Sequence, residues 1–374
     1  MTNSRTHPTC MQVDLDALGG NLEEIRRRIG PDTKVIASLK ANAYGHGAVP
    51  VARRLSAQGV DMLSTGSFDD AVAMREAGID APILMFGATL PTALPEFIRH
   101  GLIPTVHNKE LAEAVADLDS KPVSVFVKVD CGFGRLGVPL REALLFVLDL
   151  AGRPGVMIAG LYTHLPFFDQ AGCEWARERV ARFDALVAAL AKEGLSIPVT
   201  QARASAAIIA GLKDNCTSVC PGALLYGNSP VEGVGDASGF RPVMKEIRTS
   251  LIHITPDAGT PEPGHEGIYA DRVKGATGVV PFGRNEGNRV AASGQTAHML
   301  IGGVKAPIVG VSLEHSILDL SEVEFPKVGE EVIILGRDGQ HEIRLADIAQ
   351  WWGAGVNDVL MSLSGRMAIE NSGA

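Results

Sequence analysis

No block of basic residues occurs anywhere in this 374-residue chain, and its formal net charge is −9. Nucleic acid and anionic membrane are poor candidates for its main partner, because both are held by concentrated positive charge. A small molecule is the partner expected instead. No stretch reaches the roughly 18 uninterrupted apolar residues needed to span a bilayer, and the opening MTNSRTHPTCMQVDLDALGG has no apolar core of signal-peptide length. A soluble cytoplasmic protein is expected. The five cysteines (Cys10, Cys131, Cys173, Cys216, Cys220) are odd in number, scattered and without a C-x-x-C pair, so neither a disulfide framework nor a zinc site is suggested. His, Cys and carboxylates do not recur at ligand spacing, and no metal is expected.

What is present is apolar residues, 46 % of the chain, enough to bury a large core. From about Val35 to Tyr226, short strand-like runs alternate with amphipathic helical stretches at a spacing of roughly 20–30 residues, the rhythm of βα units. The runs are VIASLK, DMLSTG, PILMFG, LIPTVH, VSVFVKVD, MIAGLYTH, PVTQARAS and SVCPGALLYG. Eight of them point to an N-terminal TIM (β/α)8 barrel. After about Gly239 the texture becomes Gly- and Pro-rich with short strand-like runs such as LIHITPDAG, ATGVVPFG, APIVGVSLEHSILDL and EEVIILG, and a mostly β C-terminal domain follows. The expected division is residues 1–239 as barrel and 240–374 as β domain, with residues 1–12 packing on the latter.

Barrel enzymes carry their chemistry at the C-terminal ends of the strands, and polar residues fall at those ends. Lys40 follows the first run, Lys128 and Asp130 end the fifth, His164 follows the sixth, Ser205 the seventh, and Pro221-Gly222 lie by the eighth. A lysine so placed is more often an ordinary surface residue, yet a partly desolvated amine can also form a Schiff base with an aldehyde. In SLKANAYGHG it is followed by a phenol, Tyr44, and by glycines that let backbone approach an anion; CPGALLYG offers a second such seat before a helical turn. Amine and phosphate seat on one rim suggest pyridoxal phosphate. KVDCGFGRLGV places Arg135, a fork suited to a carboxylate or phenolate, on a Gly-rich loop.

At these motifs the chain resembles the alanine racemase family of fold-type III pyridoxal-phosphate enzymes. The resemblance runs through VDLDALGGNL, SLKANAYGHG, VKVDCGFGRLGV, GLYTH, ASAA, PGALLYG, DAGTPEPGHEGIY, GVVPFGRNEG and KAPIVGVSLEH. It implies that Lys40 holds pyridoxal 5′-phosphate and exchanges the Cα proton of an amino acid on one face. It implies that Tyr44, Ser205, Gly222 and Ala223 bind the phosphate, and that Arg135 lies near the cofactor phenol oxygen and the substrate carboxylate. Lys128 matches a position often carbamylated in the family, and His164 the histidine behind the pyridine ring. A head-to-tail homodimer is implied, each β domain completing the partner's active site.

Departures from the family pattern bear on the reaction. Cys220 stands where the family has an arginine facing the pyridine nitrogen, and an uncharged thiol permits different electronics. Arg284 in FGRNEG replaces the tyrosine of VGYADG that acts on the opposite face, and a guanidinium is a poor base. His265 replaces a tyrosine in GHEGIY while Tyr269 is kept; Leu313-Glu314 replace the substrate-contacting Met-Asp pair; Asn357 replaces a phosphate-binding tyrosine. The expected activity is an amino-acid racemase or epimerase acting on a substrate other than plain alanine, with His265 or Tyr269 as second base and Arg284 on an anionic group. The alternatives are a lyase using Lys40 as sole base (aldol cleavage, β-elimination or decarboxylation) and a non-enzymatic pyridoxal-phosphate carrier.

Overall fold

The structure is a computed structural model that describes residues 8–87, 90–118, 122–256, 275–363 and 367–373. It divides into two compact units: the described residues of Leu15–Ala43 with Gly47–Val243, and those of Met1–Asp14, Tyr44–His46 and Met244–Gly373. No helix among the described residues is long and apolar enough to cross a membrane.

The first strand in the chain, β1 (Cys10–Asp14), belongs to the second unit. The barrel unit is built from β2 (Lys34–Ser38), β3 (Met62–Thr65), β4 (Ile83–Met85), β5 (Leu102–Ile103), β6 (Thr105–Val106), β7 (Val123–Asp130), β8 (Val138–Pro139), β9 (Val156–Tyr162), β10 (Val199–Ala204) and β11 (Ser218–Cys220). They pair in parallel in the order β5-β4-β3-β2-β11-β10-β9-β7-β6, with the short β8 beside β7. The path closes through the chain itself, because β5 and β6 are the two halves of the single run LIPTVH. Pro104, which has no N–H to give a ladder, divides them. Its carbonyl still accepts from Phe126 N at 3.0 Å. The result is a near-closed barrel of parallel strands.

Polar caps start several of the surrounding helices. Ser67 Oγ accepts from Asp70 N at 3.1 Å, Asn108 Oδ1 from Leu111 N at 2.9 Å, and Asp169 Oδ1 from Gly172 N at 2.8 Å. Each capped helix then turns an apolar stripe inward; Gln170–Lys192, for example, buries Cys173, Ala176, Val180, Phe183, Leu186 and Leu190. Inside the barrel, Ile36, Met62, Leu84, Phe126 and Tyr162 form a packed layer.

The second unit continues with β12 (Met244–Ser250), β13 (His253–Thr255), β14 (Thr277–Val280), β15 (His298–Ile301), β16 (Val304–Val311), β17 (Ser316–Asp319), β18 (Glu331–Asp338), β19 (His341–Ile343) and β20 (Ala368–Ser372). Its sheet runs β13-β14-β17-β16-β15-β18-β12-β1-β20, antiparallel except where β1 meets β20. The stretch APIVGVSLEHSILDL, which reads as one run, is a hairpin of β16 and β17 turning at Ser312–His315.

A Cβ on Gly160 would lie 2.2 Å from the Phe126 ring in the core layer. Gly160→Ala is expected to destabilise the barrel unit by about 1–3 kcal/mol through overpacking, read as a lower midpoint in chemical denaturation followed by circular dichroism.

Candidate active site

Lys40 is placed by the end of β2, which is tied to its neighbours on both sides. Ser38 N donates to Pro221 O at 3.0 Å, Leu39 N to Ser64 O at 2.7 Å, and the buried Tyr226 hydroxyl to Ser38 O at 3.0 Å. The exposed lysine therefore leaves a strand end that cannot shift without breaking three bonds. Beyond it the backbone turns left-handed through Ala41 (φ 52°), Asn42 (54°), Ala43 (56°) and Tyr44 (52°). Each such residue costs about 1–2 kcal/mol, and consecutive ones are rare outside functional sites. The glycines of GHG looked like the source of backbone freedom, but the strained residues precede them.

Hydrogen bonds hold this turn. Asp70 Oδ2 accepts from Asn42 N at 3.0 Å, Leu39 O from Ala43 N at 3.0 Å, Asn42 O from Gly47 N at 3.0 Å, and Asn42 Oδ1 from Ala48 N at 2.7 Å. Asn42 thus ties both ends of the turn to regular structure.

Ser205, Gly222 and Ala223 are brought together. Ser205 begins a short helix after β10, and its Oγ accepts from Gly222 N at 2.9 Å and Leu224 N at 3.3 Å, at the start of the turn Ala223–Tyr226. A hydroxyl and backbone N–H groups converging in this way fit a phosphate.

Arg135 rides on a loop organised by Asp130 at the end of β7. The Asp130 carboxylate accepts from Gly132 N and Phe133 N at 2.8 Å each and from Gly134 N at 2.9 Å. The Phe133 ring so fixed lies 4.7 Å from the Arg135 guanidinium carbon and 5.8 Å from the His164 ring, nearly perpendicular to it. Lys128 is buried within β7, its Nζ 5.6 Å from the Tyr162 ring.

Burial, reinforced for Lys128 and His164 by neighbouring positive charge, governs proton affinities here. Burial first, then Arg135 and Lys40, lower the Lys128 amine to about 8, with Asp130 opposing. Burial, followed by Lys40, Arg135 and Lys128, drives His164 down to about 3, so its imidazole is neutral at any working pH. Cys220 is half-buried against the core layer with Sγ 3.9 Å from Ser64 Oγ. Burial pushes its thiol up to about 11 against the pull of Lys40 and Ser64, and it carries no charge at neutral pH.

In the second unit, Arg284, Leu313 and Glu314 are exposed on two loops held side by side. Arg284 N donates to Ser312 O at 3.0 Å and Asn285 N to Leu313 O at 2.8 Å. Gly283 permits the approach, since a Cβ there would lie 2.5 Å from His315 N. Asn357 is exposed in the first turn of the helix Val356–Leu363, and Tyr44 clusters with this unit. His265 and Tyr269 lie outside the described residues. Among the described residues no group of three or more His, Cys, Asp or Glu could hold a metal.

The sequence reading missed several contributors. The D-x-G-x-G spacing around Asp130 is an Asx-turn signature that could have assigned its role. Phe133, Ser64, Asp70, Tyr162 and His107, whose proton affinity is lowered by burial and by Lys128, carry no such signal.

A rim lysine on a locked strand end, a phosphate seat and a cationic wall on one barrel mouth fit a pyridoxal-phosphate-dependent enzyme. The sequence matches the family Alanine racemase, N-terminal domain, over residues 13–230 and Alanine racemase, C-terminal domain, over residues 247–370. The chain belongs to the alanine racemase family, whose enzymes are isomerases that use pyridoxal 5′-phosphate. It is 32 % identical over 356 residues to the alanine racemase of Halothermothrix orenii, covering 94 % of this chain and 93 % of that one. It is 32 % identical over 335 residues to that of Desulfovibrio desulfuricans, covering 88 % and 89 %. Among solved structures, alanine racemase of Clostridium difficile 630 matches with TM-score 0.87 at 26 % identity, covering 98 % of this chain and 96 % of that chain. The E. faecalis alanine racemase matches with TM-score 0.86 at 25 % identity over the whole of both chains.

The lowered affinity of Lys128 has a consequence for stability. Below about pH 8 the folded chain bears the full cost of a buried ammonium, and the cost is lifted as pH rises toward the ordinary lysine value of 10.5. Stability in guanidinium titrations is expected to gain a rising contribution between those values that Lys128→Met abolishes.

Proposed function

We propose that the chain is an amino-acid racemase working on free α-amino acids in the cytoplasm, with Lys40 holding the cofactor and exchanging the Cα proton on one face. The observation that carries this reading is the strained, hydrogen-bonded strand end that presents Lys40 beside the Ser205–Gly222 seat. Pyridoxal phosphate, when bound, supplies an electron sink that acidifies the Cα–H. The rest is done by the chain. Ser205, Gly222 and Ala223, with Tyr44 and Asn357, bind the phosphate. Arg135 takes the phenol oxygen and the substrate carboxylate, and the neutral His164 packs behind the ring.

Cys220 faces the pyridine nitrogen as an uncharged thiol and imposes no positive charge on it. Lys128, part neutral near pH 8, has the free amine that attack on CO2 requires, which supports its carbamylation. The opposite-face base is His265 or Tyr269, because a guanidinium is a poor base. Two copies assemble head to tail, the β unit of each completing the partner's site; sedimentation at micromolar concentration checks this, and a fully active monomer would contradict it.

The relatives are named alanine racemases, which gives no support to a substrate other than alanine, and alanine is the reference substrate. A second reading, a substrate with an additional anionic group, is favoured by one observation: Arg284 is exposed, its backbone is pinned, and it forms no ion pair among the described residues. NMR in D2O with L- and D-alanine and with acidic amino acids tests both. Cα exchange with appearance of the mirror-image amino acid is expected; exchange with retention, or an aldehyde, keto acid or amine product, would replace the racemase by a lyase. On the second reading, Arg284→Ala raises KM for the acidic substrate by about 10-fold or more while sparing alanine, since a charge-assisted bond of roughly 1.5–3 kcal/mol is lost.

A further inference from the structure

Arg135 raises a question that the rim does not answer by charge. Among the described residues its guanidinium makes no hydrogen bond or ion pair, and the cations Lys40 and Lys128 stand near enough to share their field with it at His164. The acid on its own segment, Asp130, has its carboxylate occupied by three backbone N–H groups. While Lys128 is an unmodified amine, an exposed arginine repelled by two lysines and held by no acid would swing into solvent; a carbamate on Lys128 would add attraction to whatever already holds it. What it does contact is the ring of Phe133.

We propose that Phe133 is a positioning residue: its ring, fixed by Asp130, holds the Arg135 guanidinium on its π surface and braces it against His164. The guanidinium carbon lies 4.7 Å from the ring centroid, within the range of cation–π attraction. The His164 ring stands at 77° to Phe133 with centroids 5.8 Å apart, an edge contact between aromatic rings. The Phe133 N–H bond to Asp130, 2.8 Å long, sets the backbone from which the ring projects, between Gly132 (φ 122°) and Gly134 (φ 74°). A neutral His164 completes the arrangement, because an imidazolium there would repel the guanidinium that the ring holds. The ring is 40 % exposed, so changing it leaves the core intact. The inference rests on the reading of this rim as the cofactor site for its functional meaning, though not for its geometry.

The experiment compares Phe133→Leu, which keeps apolar bulk without the ring quadrupole, with Phe133→Tyr, which keeps both. Cofactor-free protein is treated with phenylglyoxal and modification of Arg135 is timed by peptide mass spectrometry. Arg135 in Phe133→Leu is expected to react roughly two- to five-fold faster than in the wild type, the factor a cation–π contact supplies, and Phe133→Tyr restores the slow rate. In the cofactor-loaded enzyme kcat/KM for alanine falls by a similar factor in Phe133→Leu and recovers in Phe133→Tyr, with thermal midpoints unchanged. Equal rates in wild type and Phe133→Leu, or a tyrosine variant as reactive as the leucine one, overturn the proposal. Absence of any racemisation by the wild type, with the phenylglyoxal order as expected, overturns the functional reading and leaves the positioning role standing.

Discussion

The mouth of the barrel depends on the fixation of one strand end. Bonds from Ser38 and Leu39 to the β3 and β11 segments, and from Tyr226 to Ser38, hold the last residues of β2 from three directions. Only a strand so held can force four successive L-residues, Ala41 to Tyr44, into the left-handed region. The strain has a use: it directs the chain away immediately after Lys40, leaving the amine at the mouth rather than buried along a regular helix. Asp70 and Asn42 offset part of the cost by accepting the N–H groups that the turn would otherwise strand.

Around that amine, burial and repulsion among cations act in the same direction. Lys40, Lys128 and Arg135 act together on His164, and burial with the same charges lowers Lys128 to about 8. A cluster of this sign, in a chain whose net charge is −9, is a concentrated exception that suits a ligand carrying a phosphate and a carboxylate. The uncharged Cys220 and His164 sit within this field as neutral surfaces; burial keeps the Cys220 thiol protonated, and burial together with the three cations keeps His164 neutral.

Much of this was legible in the sequence, for identifiable reasons. The βα rhythm declares itself because the barrel strands are short apolar runs and several of the helices after them carry a polar cap, as at Ser67, Asn108 and Asp169. Boundaries within runs were less visible: Pro104 splits one strand, and the Ser312–His315 turn divides another run with no Gly, Pro, Asn or Asp at the turn itself. Lys40, Arg135, Ser205 and Gly222 stand out in the sequence as candidates because strand ends and glycines mark them. The left-handed turn was not, since Ala and Tyr have no preference for positive φ and tertiary hydrogen bonds impose it. Nor could Phe133 be connected with Arg135 and His164, because that contact depends on how the Asp130 loop closes.

The account stands on Lys40 as the residue that holds the cofactor. The most direct measurement is borohydride reduction of the protein loaded with pyridoxal phosphate, followed by digestion and mass spectrometry of the pyridoxyl-bearing peptide. The label is expected on the peptide containing Lys40 and on no other. A label on Lys128, or spread over surface lysines with Lys40 unmodified, would contradict it.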